Sequence, residues 1–388
     1  MPDKLDTGLC LSGGGYRAML FSLGSLWRLN ELGWLRKLDV VSSVSGGSIL
    51  NGVLATRWKD FKWSTNDTDA VATNFVPLVA QPVRAMAGKT LDVFAGIEGL
   101  LSIFSTIADK VTEKYDEQLF HEARLADIPS FEKGKTPRFI FYATSLQTGS
   151  SVRIEKKRLA DYRLGEIPNP NLSVARAVCA SSAFPPVLSP VELKVDAALW
   201  RDFPEGAAPL ASRQDLKSRL LLTDGGVYDN MGLEAIWDRC STVLVSDAGA
   251  PLDVDPTPPT DWTRQAIRVL DIVTEQTRAL RKRWLMQQYQ QAHAAPIEDA
   301  NQPPKKMGTY WGITTRIDAF GVADALARDN EKTRELQDVR TRLNEFTSRE
   351  QGRLINWGYA LADAGMRKYV IPGKPFPPPA WPVPEEPL

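Results

Sequence analysis

Leu38-Asp39-Val40-Val41-Ser42-Ser43-Val44-Ser45-Gly46-Gly47 decides the fold of this chain. Its first half is a short, largely apolar run suited to a buried strand. Its second half is a string of small residues, after which a helix is expected from about Gly47 to Arg57. A chain that reverses from strand to helix within about four residues needs small neighbours, and it leaves the central hydroxyl projecting at a helix N-terminus. Ser45 holds that centre. The usual pattern is Gly-x-Ser-x-Gly, and Ser43 stands where the first glycine would be.

The preceding residues repeat the plan. Thr7-Gly8-Leu9-Cys10-Leu11-Ser12 reads as a buried strand that runs into Gly13-Gly14-Gly15 and then a helix from about Tyr16 to Leu32. In an open parallel sheet both turns lie at the carboxyl ends of their strands, where such folds build their sites. The two turns are therefore expected to face each other. Three successive glycines offer bare N–H groups to an oxyanion, and Arg17 adds a fixed positive charge suited to a phosphate. Gly13-x-Gly15-x-x-Ala18 also fits a dinucleotide fingerprint, but the acidic residue wanted at the end of the second strand is replaced by Ser42, Ser43 and Ser45. Nucleotide binding stays open as an alternative.

The 388 residues suffice for one elaborated α/β domain or two smaller ones. Lys and Arg number 47, and Asp and Glu also number 47, so no global field favours nucleic acid. Cys10, Cys179 and Cys240 have no paired spacing, which points to reduced, buried thiols in a cytoplasmic protein. No metal-ligand spacing occurs, no cofactor is implied, and no apolar run reaches the length of a membrane span. The start, Met1 to Asp6, lacks the features of a secretory signal. Histidine is the informative scarcity: His121 and His293 are the only two. Neither adjoins a strand end, so a Ser-His-Asp triad is not expected and the serine needs another base.

Along the chain, residues 60–135 break the regular alternation, with Leu91 to Val111 helical and apolar on one face. An interfacial lid and a core-packing helix are the two readings of that segment. Arg138 to Thr144 is a strong strand, and Ser151 to Ile154 a returning one. A short helix from Asn171 or Ser173 to Ser182 is stopped by Pro185-Pro186, and its run Ala180-Ser181-Ser182-Ala183 allows close backbone approach. Val195 to Ser218 reads as irregular. Leu220-Leu221-Leu222-Thr223 is a buried strand ending at Asp224-Gly225-Gly226. Asp-Gly is a common turn dipeptide. With histidine lacking, Asp224 is nevertheless the carboxylate placed to serve Ser45, provided burial raises its pKa or proton transfer accompanies attack.

Ser241 to Ser246 is another strand, and Trp262 to about Gln291 a long helix. Its basic cluster Arg278, Arg281, Lys282 and Arg283 either touches anionic headgroups or pairs with nearby acids. Tyr310 to Ile317 is expected as a strand, Asp329 to Arg349 as a charged helix or helix pair, and Arg353 to Arg367 as a closing amphipathic helix. The proline-dense tail from Ile371 is expected to be extended along the surface.

Four ordered blocks, the glycine turn, the serine elbow, Ala180 to Pro186 and Asp224-Gly225-Gly226, resemble those of the patatin-like phospholipases. Ser12 to Met19 is also similar to the matching segment of cytosolic group IV phospholipases A. Ala18 departs from the glycine that many relatives carry there. The resemblance implies a three-layer α/β/α fold with a mostly parallel sheet, a single catalytic domain over 1–370 with an insertion at 60–135, and a tail over 371–388. It implies Ser45 as nucleophile, Asp224 as general base, Gly13, Gly14 and Gly15 as oxyanion hole, and Arg17 steadying phosphate or holding the glycine loop. The implied activity is hydrolysis of glycerophospholipid or related esters through an acyl-enzyme, with a lipid substrate, peripheral membrane contact, and neither metal nor nucleic acid. A catalytically idle lipid-binding module and an acyltransferase are the rivals.

Overall fold

The apolar runs assemble into one ten-stranded sheet in the computed structural model, which describes residues 5–91, 103–186, 188–249, 251–252, 254–293 and 306–388. The strands are β1 (Leu5–Leu11), β2 (Val40–Ser43), β3 (Arg138–Ser145), β4 (Ser151–Glu155), β5 (Arg158–Asp161), β6 (Gly165–Pro168), β7 (Val191–Lys194), β8 (Arg219–Asp224), β9 (Cys240–Asp247) and β10 (Met307–Gly312). The order across the sheet is β10-β9-β1-β2-β3-β4-β5-β6, with β8 paired to β3 and β7. Strands β10, β9, β1, β2 and β3 run parallel. An antiparallel meander, β4 to β6, extends that edge.

The α-helices are α1 (Gly15–Glu31), α2 (Gly46–Arg57), α3 (Gln81–Ala87), α4 (Ile103–Tyr115), α5 (Val174–Ser181), α6 (Gly226–Asp229), α7 (Trp262–His293), α8 (Glu331–Glu335) and α9 (Ser348–Tyr369). Parallel strands require crossovers, and helices accordingly cover both faces. Alternation along the strands divides the interior in two. Leu9, Leu11, Val41 and Leu244 join the larger core with residues of α1, α2, α5 and α9. Cys10, Val40, Val243 and Val245 join the smaller one with Leu285 and Tyr289 of α7. This is the expected three-layer α/β/α arrangement.

Helices α1 and α9 cross with their backbones in contact. A Cβ on Gly24 would fall 1.8 Å from the Ile355 carbonyl oxygen, and one on Gly358 1.8 Å from that of Phe21. Beside this crossing the buried Arg28 donates to Asp363 at 2.8 Å and to the Pro377 carbonyl at 2.7 Å. The tail lies along α9, where Asn356 donates to the carbonyls of Val383 and Glu386 at 2.8 Å each.

Several segments differ from the sequence expectation. Strand β8 runs antiparallel to β3, and β5, β6 and β7 fall where no strand is expected. The charged helix expected over 329–349 is confined to α8 and one tighter turn, Leu336–Asp338. Beyond it the backbone groups bond to distant partners instead of to their own helix: Leu91 donates to the Leu343 carbonyl at 3.0 Å, and Phe346 to that of Ala87 at 2.8 Å. Strand β10 ends at Gly312, whose N–H turns to Thr315 Oγ1, so Ile317 opens a 3₁₀ turn and not a strand end. The helix expected over 91–111 falls partly outside the described residues. Its described continuation, α4, buries Ile107 and Val111 in the larger core.

Candidate active site

Strand β2 ends at Ser43 and α2 begins at Gly46, so the reversal is as abrupt as the sequence implies. Ser45 sits between them at φ 51° and ψ −119°, a conformation that costs a residue with a side chain roughly 1–3 kcal/mol. Gly47 permits the reversal, because a Cβ there would lie 2.4 Å from the Leu11 carbonyl oxygen. Ser43 is accommodated where the usual pattern has glycine. Its hydroxyl donates to the Ile140 carbonyl at 3.0 Å and accepts from Asn51 Nδ2 at 2.9 Å. The departure from the motif therefore leaves the elbow shape intact.

Asp224 reaches the elbow from the opposite direction. Strand β3 pairs with β2 as far as Phe141, opposite Ser43, and then with β8, whose Asp224 lies opposite Ala143. Strands β2 and β8 thus run toward each other along one edge of β3 and end near one another. The end of α5 joins them. The Ser181 carbonyl accepts the N–H of Ser45 and the N–H of Gly225, each at 3.2 Å, and the Ala183 carbonyl accepts the N–H of Asp224 at 3.0 Å. The small residues after Ala180 are what let this helix end lie between the two turns. Gly225 is needed for its own reason: a Cβ there would lie 2.2 Å from the Tyr142 carbonyl oxygen.

Asp224 is 2% exposed. Its Oδ1 accepts the Gly226 N–H at 2.7 Å, while Oδ2 is buried and has no hydrogen-bond partner among the described residues. Burial pushes its carboxyl up to about 6, against the opposing pull of the Gly226 N–H and, more weakly, the Ser45 hydroxyl. Ser45 is therefore near enough to act on the carboxyl, yet no well-formed hydrogen bond links the two. Catalytic hydrogen bonds commonly lengthen in an empty site and tighten when substrate binds. A carboxylate of this kind is ionised at neutral pH and more basic than an exposed one.

The glycine turn lies beside the elbow. A Cβ on Gly46 would fall 1.9 Å from the Gly15 carbonyl oxygen, and one on Gly13 would lie 3.2 Å from Ser45 Cβ. Among the described residues the N–H groups of Gly14, Gly15 and Gly46 donate to no backbone partner. That of Gly13 is taken by the Asn230 carbonyl at 2.9 Å, which removes Gly13 from the donors the sequence suggests. Gly13 provides room instead, since a Cβ there would meet Asn230 Oδ1 at 2.3 Å. Asn230 itself escaped the sequence reading. Its signal is the spacing: it stands four residues after Gly226, on the same face of the helical turn that Gly226 opens.

Gly13, Gly14, Gly15, Ser45, Asp224 and Asn230 form one wall of a cavity of about 1000 Å³, with Phe184, Pro185, Pro186 and Leu188 supplying an apolar side. Its size lies at the upper end for small-molecule sites. Arg17, 6% exposed, uses Nη1 to donate to the carbonyls of Gln337 and Val339 at 2.8 Å each. His121 is not among the described residues lining the cavity, and His293 ends α7. In the basic cluster of α7, Arg278 pairs with Asp247 and Arg281 with Glu234, both at 2.7 Å, so these two side chains serve acids within the protein. No helix among the described residues is long and apolar enough to cross a membrane.

Human GIVD cytosolic phospholipase A2 superposes with a TM-score of 0.50 at 13% identity, covering 95% of this chain and 62% of its own. This chain thus spans less than two thirds of the human protein. VipD from Legionella pneumophila superposes with a TM-score of 0.39 at 14% identity, covering 94% and 67%. No curated protein matches by sequence. The family model for patatin-like phospholipase matches residues 9–237, which hold the glycine turn, the elbow, the end of α5 and Asp224. The chain belongs to the patatin-like phospholipase family.

Proposed function

We propose that this protein hydrolyses an acyl ester of a glycerophospholipid or related lipid by means of Ser45 and Asp224. The observation that carries the reading is the meeting of a strained serine at a helix N-terminus with a buried carboxylate whose Oδ2 has no hydrogen-bond partner among the described residues, both on the wall of one cavity. Ser45 Oγ attacks the acyl carbonyl carbon, and Asp224 Oδ2 takes its proton while the Gly226 N–H keeps Oδ1 fixed. The oxyanion that forms accepts hydrogen bonds from the N–H groups of Gly14, Gly15 and Gly46, where preorganised donors act most strongly. The tetrahedral intermediate collapses, the alcohol or lysolipid leaves with the proton from Asp224, and the acyl group remains on Ser45. Water attacks the acyl-enzyme while Asp224 accepts its proton; the second tetrahedral intermediate collapses, the bond to Ser45 Oγ breaks, Asp224 returns the proton to that oxygen, and the fatty acid is released.

Lipid product mass spectrometry tests this with the wild type beside Ser45→Ala and Asp224→Asn. Loss of either group should lower kcat by about 10⁴ to 10⁶. Changing His121 and His293 together to alanine should leave the rate within about twofold of the wild type. Persistent hydrolysis by folded Ser45→Ala, or its loss in the folded double histidine variant, would overturn the dyad. A fluorophosphonate that fails to label Ser45 while liposomes bind would favour the idle lipid-binding module.

A further inference from the structure

One wall of the cavity comes from residues 337–344, well beyond residue 237 where the family match ends. This strap presses on the glycine turn. A Cβ on Gly15 would fall 1.6 Å from the Thr341 carbonyl oxygen and 3.2 Å from that of Arg342. Its near end is held by Arg17, whose Nη1 spans the carbonyls of Gln337 and Val339. Its far end is held by Leu343, Glu345 and Phe346, which bond to Leu91, Thr90 and Ala87 at 2.8–3.0 Å. Arg340 adds a clamp by pairing with Glu350 and lying over the Phe346 ring.

We infer that Arg17 is a positioning residue that pins this strap, and that the strap is the specificity-determining wall against which an ester is seated at Ser45. The inference rests on the hydrolase reading. Arg17 lies one turn into the helix that the glycine turn opens, so its grip sets the distance between the strap and the oxyanion donors. Arg17 lines the cavity, yet its charge is drawn to the main chain of the strap. Here Nη1 is committed to two main-chain carbonyls of the strap. Fit at Ser45 then depends on the strap whether or not the substrate carries phosphate.

The test is Arg17→Met assayed on p-nitrophenyl butyrate, which has no phosphate, and on phosphatidylcholine vesicles, with timed trypsin digestion read at Arg342. Both esters should lose kcat/KM by a similar factor, roughly 10- to 100-fold as expected of displaced positioning groups. Cleavage after Arg342 should accelerate several-fold as the open strap becomes more populated. Arg340→Ala, which loosens the other clamp, should accelerate the same cleavage. A loss confined to phosphatidylcholine, or unchanged tryptic resistance, would overturn the inference. If Arg17→Met does not fold, Arg17→Lys retains the cation with a shorter reach: loss on both esters supports pinning, and full activity on phosphatidylcholine refutes it. Should the wild type hydrolyse neither ester, the hydrolase reading fails, and the tryptic comparison still decides whether Arg17 holds the strap.

Discussion

Asp224→Asn should make the folded protein more stable at alkaline pH while removing its activity. Burial raises the Asp224 carboxyl from 3.8 to about 6. At 1.36 kcal/mol per unit, the shift corresponds to about 3 kcal/mol that the folded state bears once this group is ionised. The folded chain holds the proton more tightly than the unfolded one, so this cost grows as pH rises from about 4 to about 6 and is constant above. Asparagine carries no charge and keeps an acceptor for the Gly226 N–H. The gain on substitution is therefore about 3 kcal/mol at pH 8, about half that at pH 5, and little at pH 4. With an unfolding entropy of about 2.1 cal/mol/K per residue, the midpoint at pH 8 should rise by about 4 °C. Scanning calorimetry of both proteins at pH 8 and pH 5 measures it. A lower midpoint for the variant at pH 8, or an equal gain at both pH values, would refute the assignment of a buried, ionised base.

On the proposed mechanism the same group governs rate. Because protonated Asp224 cannot accept from Ser45, kcat/KM should fall about tenfold per pH unit below about pH 6 and level off above pH 7, which a pH–rate profile on a soluble ester would check. Gly47→Ala places a methyl 2.4 Å from the Leu11 carbonyl oxygen and should cost about 1–3 kcal/mol by denaturant unfolding, together with activity, since the elbow must shift. Arg28→Met leaves the buried Asp363 without its 2.7 Å partner and should cost about 3–5 kcal/mol in the same assay.

The parts of the molecule governed by neighbours in sequence are legible in the sequence itself. Strands β1, β2, β3 and β9 follow from apolar runs, and the elbow from four small residues in a row. The lack of a nearby histidine makes Asp224 the candidate base from sequence alone, but its direction of approach is not legible there. A strand running antiparallel into the mouth of a parallel sheet leaves no mark in its own sequence, since Leu220 to Thr223 alternate no differently either way. The same holds for the end of α5, where the Ser181 carbonyl joins two turns distant in the chain. The charged residues of the strap suit a solvated helix, whereas its carbonyls are claimed by Arg17 and Leu91 from far away. Glycine at position 13 announces room for a donor amide; only the partner across the gap, Asn230, reveals that the amide is already taken.

At Gly24 and Gly358 helices α1 and α9 press backbone against backbone, Gly24 on Ile355 and Gly358 on Phe21. Helices that touch main chain to main chain can neither roll nor slide past one another without separating altogether. One of this pair begins at the glycine turn and the other begins where the strap ends, so both margins of the cleft are borne on a single stiff beam. Gentle denaturation that pries the C-terminal helix loose should consequently abolish the proposed ester hydrolysis while the sheet beneath it still gives its full circular-dichroism signal.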